Sequence, residues 1–312
     1  EAAALLRQGK AALGGGTELL DRLKGGIAPP VELVDLSAVE ALQRIEVDGQ
    51  GLRVGAAVTL AELAADPRVQ RHWRALARAA GEVATPPVRN MATLGGNLGQ
   101  RPRCWYFRSP WFSCFKKGGG ACYAVRGDGG EPYRGEPICV AVHPSSVAAA
   151  LCALDAIVEI AGAQGVRRVA AADFWLPQEA AIAGETVLEP GELISGVWVP
   201  LVPGARSYYA KIRDRDSWDF VAVTAAATVT VAPDGRRSCT VYVCGLENRP
   251  WRAEPVESAL AAHWGDAVEA VAAACRRAFA AAWSPARQAH PVKYRQAEAL
   301  VGRLARMIAR EM

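Results

Sequence analysis

The sequence predicts an α/β domain over residues 1–205, followed by a smaller α+β domain over residues 206–312. Residues 1–200 alternate short β-like runs with amphipathic helical stretches, which is typical of α/β proteins. Beyond the turn at Pro203-Gly204, long alternating strands come first and Ala-rich helical stretches follow, which is the order of an α+β domain. The 312 residues also exceed the roughly 250 at which a single core stops growing, so two domains are expected.

In the first domain, strands are predicted from short apolar runs and helices from apolar positions at helical spacing. A turn signal at Asp48–Gly51 lies between two strand candidates and predicts a hairpin, so the sheet is expected to be mixed rather than purely parallel. The predicted strands are Ala11–Leu13, Leu33–Asp35, Arg44–Val47, Leu52–Gly55, Ile157–Ile160 and Leu193–Val199. The predicted helices are Thr17–Lys24, Leu60–Ala65, Gln70–Gly81 and Ser146–Leu154.

In the second domain, the elements are longer. Alternating apolar residues predict three strands, the last two of which are joined by the turn Pro233-Asp234-Gly235. These strands are Ser207–Arg213, Val221–Ala232 and Arg237–Cys244. Ala-rich helical stretches follow at Ala253–Ala281, with a break expected near Gly265, and at Gln296–Glu311.

Composition excludes several classes of protein. With 51% hydrophobic and 22% charged residues, the chain has enough apolar material for a core, which excludes wholesale disorder. The net charge is +4 and no basic run reaches five residues, so nucleic acid is a poor partner. The longest apolar stretches, such as Val147–Ile160, are too short to span a bilayer and carry Asp155 and Glu159, so membrane insertion is not expected.

Two glycine-rich turns are candidates for ligand binding. The first is Gly14-Gly15-Gly16-Thr17-Glu18-Leu19, between a predicted strand and helix, and the second is Thr93-Leu94-Gly95-Gly96-Asn97. Glycines let the backbone approach a ligand closely, and a helix start offers unpaired N–H groups to a phosphate. Neither turn has the spacing of a Rossmann or Walker motif, and each alone is also typical of an ordinary turn. Two such turns about 80 residues apart suggest that they hold one diphosphate between them.

The region Gln100–Gly135 fits neither helix nor strand, and a loop of this length is uncommon unless something organises it. Three cysteines lie within it and a fourth follows, spaced C-x9-C-x7-C-x16-C: Cys104, Cys114, Cys122 and Cys139. Four thiolates can bind an iron–sulfur cluster or zinc, form two disulfides, or be plain core residues, and the spacing alone leaves these alternatives open. Neighbouring basic residues and Gly118–Gly120 favour ligation. The other cysteines lie on apolar elements and are expected to be buried and structural: Cys152, Cys239, Cys244 and Cys275.

A charged segment, Lys211–Phe220, lies where the second domain is expected to face the first. It is typical of a solvated turn, or else it supplies a cation that crosses the domain cleft to a ligand. The four histidines are scattered, and no Ser/His/Asp or Cys/His arrangement is apparent. Hydrolysis therefore has no visible apparatus in this chain.

In this order, the motifs resemble the FAD-binding medium subunit of molybdenum hydroxylases, the xanthine dehydrogenase and carbon monoxide dehydrogenase superfamily. The resemblance covers essentially the whole chain and is strongest to the 4Fe–4S-containing flavin subunit of bacterial aldehyde oxidoreductases. The family's loops A-G-G-T-D-L and T-I-G-G-N are similar to Gly14–Leu19 and Thr93–Asn97. The stretch from Gln100 through Cys104 and Lys116-Lys117-Gly118-Gly119 to Cys139 resembles the insertion that binds an extra 4Fe–4S cluster in this subgroup.

The resemblance implies a two-lobed α/β FAD-binding domain of the vanillyl-alcohol-oxidase (PCMH) type at 1–205, with the 4Fe–4S insertion at about 100–140. It implies a smaller α+β domain at 206–312, of the carbon monoxide dehydrogenase flavoprotein C-terminal type. The implied cluster ligands are Cys104, Cys114, Cys122 and Cys139. The implied FAD contacts are Ala12, Leu13, Gly14, Gly15, Gly16, Thr17, Glu18, Leu19, Thr93, Gly95, Gly96, Asn97, Gln100, Ser146, Ile194 and Lys211.

Two departures from the family pattern concern carboxylates. Glu18 stands where the family usually has Asp, and Ser146 replaces the Asp of the family's H-P-S-D motif, a carboxylate that normally lies near the FAD. The family also has an amino-terminal segment, including a strand of the first lobe, that would precede Glu1.

The resemblance also implies what the protein does. It is expected to be the electron-transfer subunit of a heterotrimeric oxidoreductase, with no catalytic residue of its own. A molybdenum-cofactor large subunit would oxidise an aldehyde or heteroaromatic substrate, and a 2Fe–2S small subunit would pass the electrons to FAD here and on to an external acceptor. Two alternatives are a zinc-stabilised, non-redox scaffold subunit with degenerate flavin loops, which Glu18 and Ser146 favour, and a stand-alone flavin oxidase.

The compartment stays open between cytoplasm and periplasm. Arg7, Lys10 and the glycine run interrupt the first 25 residues, so no signal peptide is visible. The resemblance implies that such a subunit can be exported together with a partner that carries the signal.

Overall fold

The computed structural model describes residues 1–215, 219–232, 234–282 and 291–311. The strands are β1 Ala11–Leu13, β2 Leu33–Asp35, β3 Ile45–Val47, β4 Gly51–Gly55, β5 Cys122–Arg126, β6 Pro132–Tyr133, β7 Ile157–Gly162, β8 Gly165–Ala170, β9 Leu193–Pro200, β10 Arg206–Ile212, β11 Val223–Val231, β12 Arg237–Cys244 and β13 Trp251–Arg252. The helices are α1 Ala2–Leu6, α2 Leu19–Lys24, α3 Leu60–Ala65, α4 Pro67–His72, α5 Arg74–Gly81, α6 Pro86–Met91, α7 Leu94–Leu98, α8 Ala148–Ala153, α9 Ala171–Phe174, α10 Glu254–Ala262, α11 Val268–Ala282 and α12 Pro291–Glu311.

The main sheet of the first 200 residues has five strands in the order β3-β4-β9-β7-β8. Every neighbouring pair in it is antiparallel, whereas β1 and β2 form a separate, parallel two-stranded sheet. The prediction of one mixed sheet was therefore wrong, although the hairpin predicted at Asp48–Gly51 is confirmed. The physical reason is that β3–β4 and β7–β8 are joined by short turns, which only antiparallel pairs allow, and β9 enters antiparallel to both β4 and β7.

The second sheet is antiparallel, in the order β10-β11-β12-β13, and is covered on one face by α10, α11 and α12. Side chains alternate across it, so that Tyr208 packs among these helices while Tyr209 packs into the core of the first domain. Ala226 and Tyr242 join Tyr209 there. The domains thus share a packed interface, and the boundary predicted near residue 205 lies in the connection between β9 and β10.

One helix prediction needs correction. The helix predicted over Gln70–Gly81 is two helices, α4 and α5, because Trp73 has a non-helical backbone (φ −126°, ψ 51°) and its buried indole Nε1 donates to the carbonyl of Pro200 at 2.9 Å. The break predicted near Gly265 is confirmed, since that residue has φ +90° between α10 and α11. The 100–140 region carries a short hairpin, β5–β6, that the sequence did not predict. Within the described residues, no helix combines the length and apolarity needed to cross a membrane.

Candidate cofactor site

The first glycine loop connects β1 to α2 and lies against the segment that precedes the second loop. A Cβ atom on Gly15 would lie 1.5 Å from the carbonyl oxygen of Met91, so only glycine permits this approach. Gly16 has φ +72°, a left-handed conformation that side chains disfavour. In the described part of the chain, the backbone N–H groups from Gly14 to Glu18 find no acceptor. The loop therefore offers a row of unpaired donors, which suits an anion.

The second glycine loop is held by the protein's own hydrogen bonds. The Thr93 hydroxyl oxygen accepts from the Gly96 N–H at 3.1 Å, and the Gly95 N–H donates to the Ala56 carbonyl at 2.9 Å. The Asn97 side-chain oxygen accepts from the hydroxyl of Ser145 at 2.7 Å. The second loop thus places a tight turn close to the first loop. Unpaired N–H donors were expected on both loops, but the row of them lies on the first loop.

Two cavities meet at the loops, one of about 260 Å³ and one of about 530 Å³, and Thr17 and Gly96 line both. Every predicted FAD contact except Leu13, which lies in β1, lines at least one of them. The smaller cavity is lined by Ala12, Gly14, Gly15, Gly16, Thr17, Glu18, Leu19, Thr93, Gly95, Gly96 and Ile194. The larger cavity is lined by Thr17, Gly96, Asn97, Gln100, Ser146 and Lys211. The arrangement suits a long ligand with a bulky group at each end and an anionic centre.

Lys211 reaches the larger cavity from β10 in the second domain. Its ammonium group donates to the Glu82 carbonyl at 2.8 Å and to the Ser146 hydroxyl at 3.3 Å, both in the first domain. Burial lowers the pKa of Lys211 to about 8, so the side chain is still a cation at neutral pH. The predicted crossing of the domain cleft is therefore observed, while a contact with a ligand stays a prediction. Asp216–Trp218 of the same predicted segment lie outside the described residues.

Glu18, the first departure from the family pattern, is engaged by three arginines. Its carboxylate lies 3.1 Å from Arg22, 2.8 Å from Arg103 and 2.7 Å from Arg108. Two of these arginines belong to the cysteine segment, so Glu18 ties that segment to the first glycine loop. Arg103 and Arg108 are among the basic residues that favour ligation by the neighbouring cysteines, but their pairing with Glu18 was not predicted, because the pair of positions 18 and 108 spans ninety residues of chain.

All four cysteines of the predicted cluster set line a third cavity, of about 20 Å³. The eight cysteines, all of them in described residues, are free thiols, so the two-disulfide alternative is not formed. Burial raises the pKa of the Cys139 thiol, and the charge of Lys116 opposes that rise. In the described ranges, no three His, Cys, Asp or Glu side chains converge closely enough to hold a single metal ion.

A buried ion-pair network lies beside this cavity. The Lys116 ammonium, which lines the cavity, is 2.7 Å from Glu185, and the same carboxylate is 2.6 Å from Arg101. Lys116 and Glu185 are 7% and 4% exposed, so this pair is almost fully removed from water, whereas the Arg101 side chain is 25% exposed. It places a positive charge beside four thiols and connects the cysteine segment to the loop before β9. Of the four cysteines predicted to be buried, Cys152, Cys244 and Cys275 are buried in the two cores, whereas Cys239 is only partly buried against the second core.

Comparison with known proteins identifies the family. Residues 1–202 match the FAD binding domain in molybdopterin dehydrogenase. The chain is an FAD-binding subunit of the molybdenum hydroxylase family. It is 40% identical over 253 residues to the aldehyde oxidoreductase FAD-binding subunit PaoB of Escherichia coli K12, covering 80% of this chain and 78% of that protein. It is 27% identical to the carbon monoxide dehydrogenase medium chain of Afipia carboxidovorans, over 78% of this chain and 68% of that one.

Solved structures extend the likeness to the second domain. A chain of the CO dehydrogenase from Oligotropha carboxidovorans superposes with a TM-score of 0.72 at 22% identity, over 98% of this chain and 94% of that one. A chain of the quinoline 2-oxidoreductase from Pseudomonas putida 86 has the same TM-score at 23% identity, over 99% and 93%. These structures show the fold, and membership of the family makes this protein an FAD-dependent oxidoreductase subunit.

Proposed function

We propose that this chain binds one FAD along the two adjoining cavities and is the electron-transfer subunit of a heterotrimeric aldehyde oxidoreductase. The observation that carries the proposal is the row of unpaired N–H donors from Gly14 to Glu18, placed where the two cavities meet. FAD is a dinucleotide whose diphosphate lies between two bulky ends, and backbone N–H groups are the usual protein ligands of such an anion. Aldehyde as the substrate class is supported by the 40% identity to PaoB.

The residues of this chain would bind and orient the cofactor. The first loop would donate to the diphosphate, Ile194 would contact the cofactor in the smaller cavity, and Gln100 and Ser146 would offer polar contacts in the larger one. Lys211 would bring a positive charge across the domain cleft. When bound, FAD would supply a ring system that takes up two electrons and passes them on. Orientation and electrostatics are therefore what the protein adds, and substrate oxidation belongs to another subunit.

The proposed fold type is the two-lobed PCMH domain at 1–205 with a carbon monoxide dehydrogenase flavoprotein C-terminal domain at 206–312. The small parallel sheet β1–β2 and the five-stranded sheet support two lobes, since Ala12 of one sheet and Ile194 of the other face the same cavity. Leu13, the one predicted contact that lines neither cavity, precedes the loop directly and would act through its backbone.

We also assign a 4Fe–4S cluster to the four cysteines that share the third cavity. A single zinc ion draws all four sulfurs to about 2.3 Å of one atom, whereas a cubane cluster spreads them over four irons with one thiolate each. The four cysteines line one cavity, and the buried Lys116 beside them would compensate the negative charge of a thiolate-bound cluster. The zinc-scaffold alternative keeps two features in its favour, Glu18 and Ser146 at positions where the family has aspartate.

The proposed partners are a molybdenum-cofactor large subunit, a 2Fe–2S small subunit and an external electron acceptor. The relatives support a multi-subunit enzyme, since they are described as an FAD-binding subunit and a medium chain. The surface supports it as well, because Trp105 and Trp111 of the cysteine segment are 89% and 90% exposed, which is unusual on a monomer. We place the complex in the cytoplasm or, exported with a partner, in the periplasm.

The test is quantification of flavin, iron and acid-labile sulfide in the purified complex and in this chain alone. We expect one FAD and about four irons with labile sulfide per chain. Cys104→Ser should lower the iron content, whereas the matched control Cys152→Ser, in the buried core, should not. A chain without extractable flavin would falsify the main proposal, and one zinc without iron would establish the scaffold alternative. Aldehyde oxidation by this chain without partners would identify a stand-alone oxidase instead.

A further inference from the structure

A charged network surrounds Glu18 where the two cavities meet. Glu18 pairs with Arg22, Arg103 and Arg108, and Asp21 adds contacts of 3.1 Å to Arg108 and 3.9 Å to Arg103. Three guanidinium groups therefore face two carboxylates, which leaves one unit of positive charge beside the first glycine loop. A lone carboxylate at position 18 would repel a diphosphate, and this excess of cations reverses the sign.

The three arginines differ in what they face. Arg22 lines the smaller cavity and Arg103 lines the larger one, and both are held by the same carboxylate of Glu18. Arg108 is not among the described residues that line either cavity. Its guanidinium donates instead to the carbonyl of Pro102 at 2.8 Å, so it fastens the cysteine segment. One carboxylate thus orients one cation toward each half of the proposed ligand site.

Arg103 is held in place inside the larger cavity. Its guanidinium lies 4.4 Å from the ring centroid of Phe220, a residue of the second domain, and donates to the Gln100 side-chain oxygen at 3.1 Å. Its Nε is buried and has no acceptor among the described residues. Burial lowers the pKa of the Arg22 guanidinium, the direction expected for a charge partly removed from water.

We propose that Arg22 and Arg103 are the two cationic contacts of the bound dinucleotide, one on each side of the first glycine loop. The carboxylate of Glu18 then orients both guanidinium groups and is not itself a contact of the cofactor, whereas its backbone N–H belongs to the row of donors in the first loop. This inference rests on the proposed binding of FAD. It assigns two binding residues outside the glycine loops, and it gives a physical role to the glutamate that stands where the family has aspartate.

The experiment measures FAD binding to the deflavinated complex by fluorescence quenching, over a range of salt concentrations. Arg22→Gln and Arg103→Gln should each weaken binding about tenfold to a hundredfold, since each removes a hydrogen bond to a charged group. Each should also lessen the salt dependence of the dissociation constant, because one cation fewer meets the ligand. Arg108→Gln is the charge-matched comparison, because it removes one cation of the same network that faces neither cavity; it measures the loss of net charge alone and should weaken binding by no more than about threefold.

Glu18→Gln separates orientation from net charge. If the network acted only through its net charge, removing the carboxylate would tighten FAD binding. If Glu18 positions the two arginines, Glu18→Gln should instead weaken FAD binding, and Glu18→Asp should restore part of the affinity. Iron content serves as the folding control, because Arg103 adjoins Cys104. If Arg103→Gln loses iron, the cysteine segment itself is disturbed, and FAD binding by Arg22→Gln then decides whether the proposal holds.

The outcomes also distinguish this inference from the proposed function. A wild-type complex that takes up no FAD refutes the proposed function. A complex that takes up FAD, with Arg22→Gln and Arg103→Gln binding it as Arg108→Gln does, refutes only the role assigned to the two arginines.

Discussion

Replacement of Gly15 by alanine should force the two glycine loops apart. The new Cβ would lie 1.5 Å from the Met91 carbonyl oxygen, and real contacts of this kind do not fall below 3.0 Å, so the loops must separate by about 1.5 Å. The group in contact is backbone, so no side chain can rotate away. Overpacking costs about 1–3 kcal/mol, and we expect the upper end of that range here. At about 2–4 °C per kcal/mol for a domain of this size, the Tm should fall by roughly 6–12 °C.

The assay is scanning calorimetry of the FAD-loaded and deflavinated proteins, with FAD content measured in parallel. Gly49→Ala is the matched control, because a Cβ there meets nothing within 4 Å. Gly16→Ala should be intermediate, since its φ of +72° costs an alanine about 1–2 kcal/mol. It keeps the series informative if Gly15→Ala does not fold. If Gly15→Ala has the same Tm as Gly49→Ala and retains FAD, the close approach of the two loops is refuted.

Two further predictions concern buried charges. Because the pKa of Lys211 falls from 10.5 to about 8 on folding, the unfolded chain binds more protons between those pH values, and stability should rise with pH across that window. The free energy of unfolding should increase by on the order of 3 kcal/mol, at 1.36 kcal/mol per pKa unit. Urea unfolding at pH 7 and pH 10.5 should show this increase in the wild type but not in Lys211→Met. The same change of stability with pH in both proteins would contradict the prediction. Glu185→Gln leaves the buried Lys116 without its counter-charge, and the partly exposed Arg101 without its partner, and should cost about 3–5 kcal/mol. The exposed control Glu40→Gln should cost less than about 0.5 kcal/mol, and equal urea midpoints for the two variants would count against the buried network.

The elements that the sequence predicts well are those set by local periodicity. The strands Leu193–Val199 and Arg237–Cys244 agree with β9 and β12 to within one residue, because a short apolar run (β9) and alternating apolar side chains (β12) are local signals of a strand. The predicted helix over Gln70–Gly81 fails at Trp73 for a non-local reason. The hydrogen bond from its indole to Pro200 joins residues far apart in the chain, and no local pattern reports such a contact.

Local sequence patterns did not predict the order of strands in the main sheet or the existence of strand β8. β8 carries Arg167 and Arg168 and four of its six positions are exposed, so its apolar signal is weak until β7 is present to pair with it. The antiparallel entry of β9 between β4 and β7 depends on which strands are neighbours in space, and connection lengths alone do not decide that.

The sequence by itself determined the two glycine loops, the four-cysteine segment and the strands-then-helices order after residue 205, because turn chemistry, residue spacing and periodicity are local properties of a chain. Only the tertiary structure decided that the loops meet between two cavities and that Lys211 crosses from the second domain. It also decided that Glu18 holds Arg22 on one side and Arg103 on the other. These are electrostatic and packing relations between distant segments, and their energies depend on distance and burial, which exist only once the chain has folded.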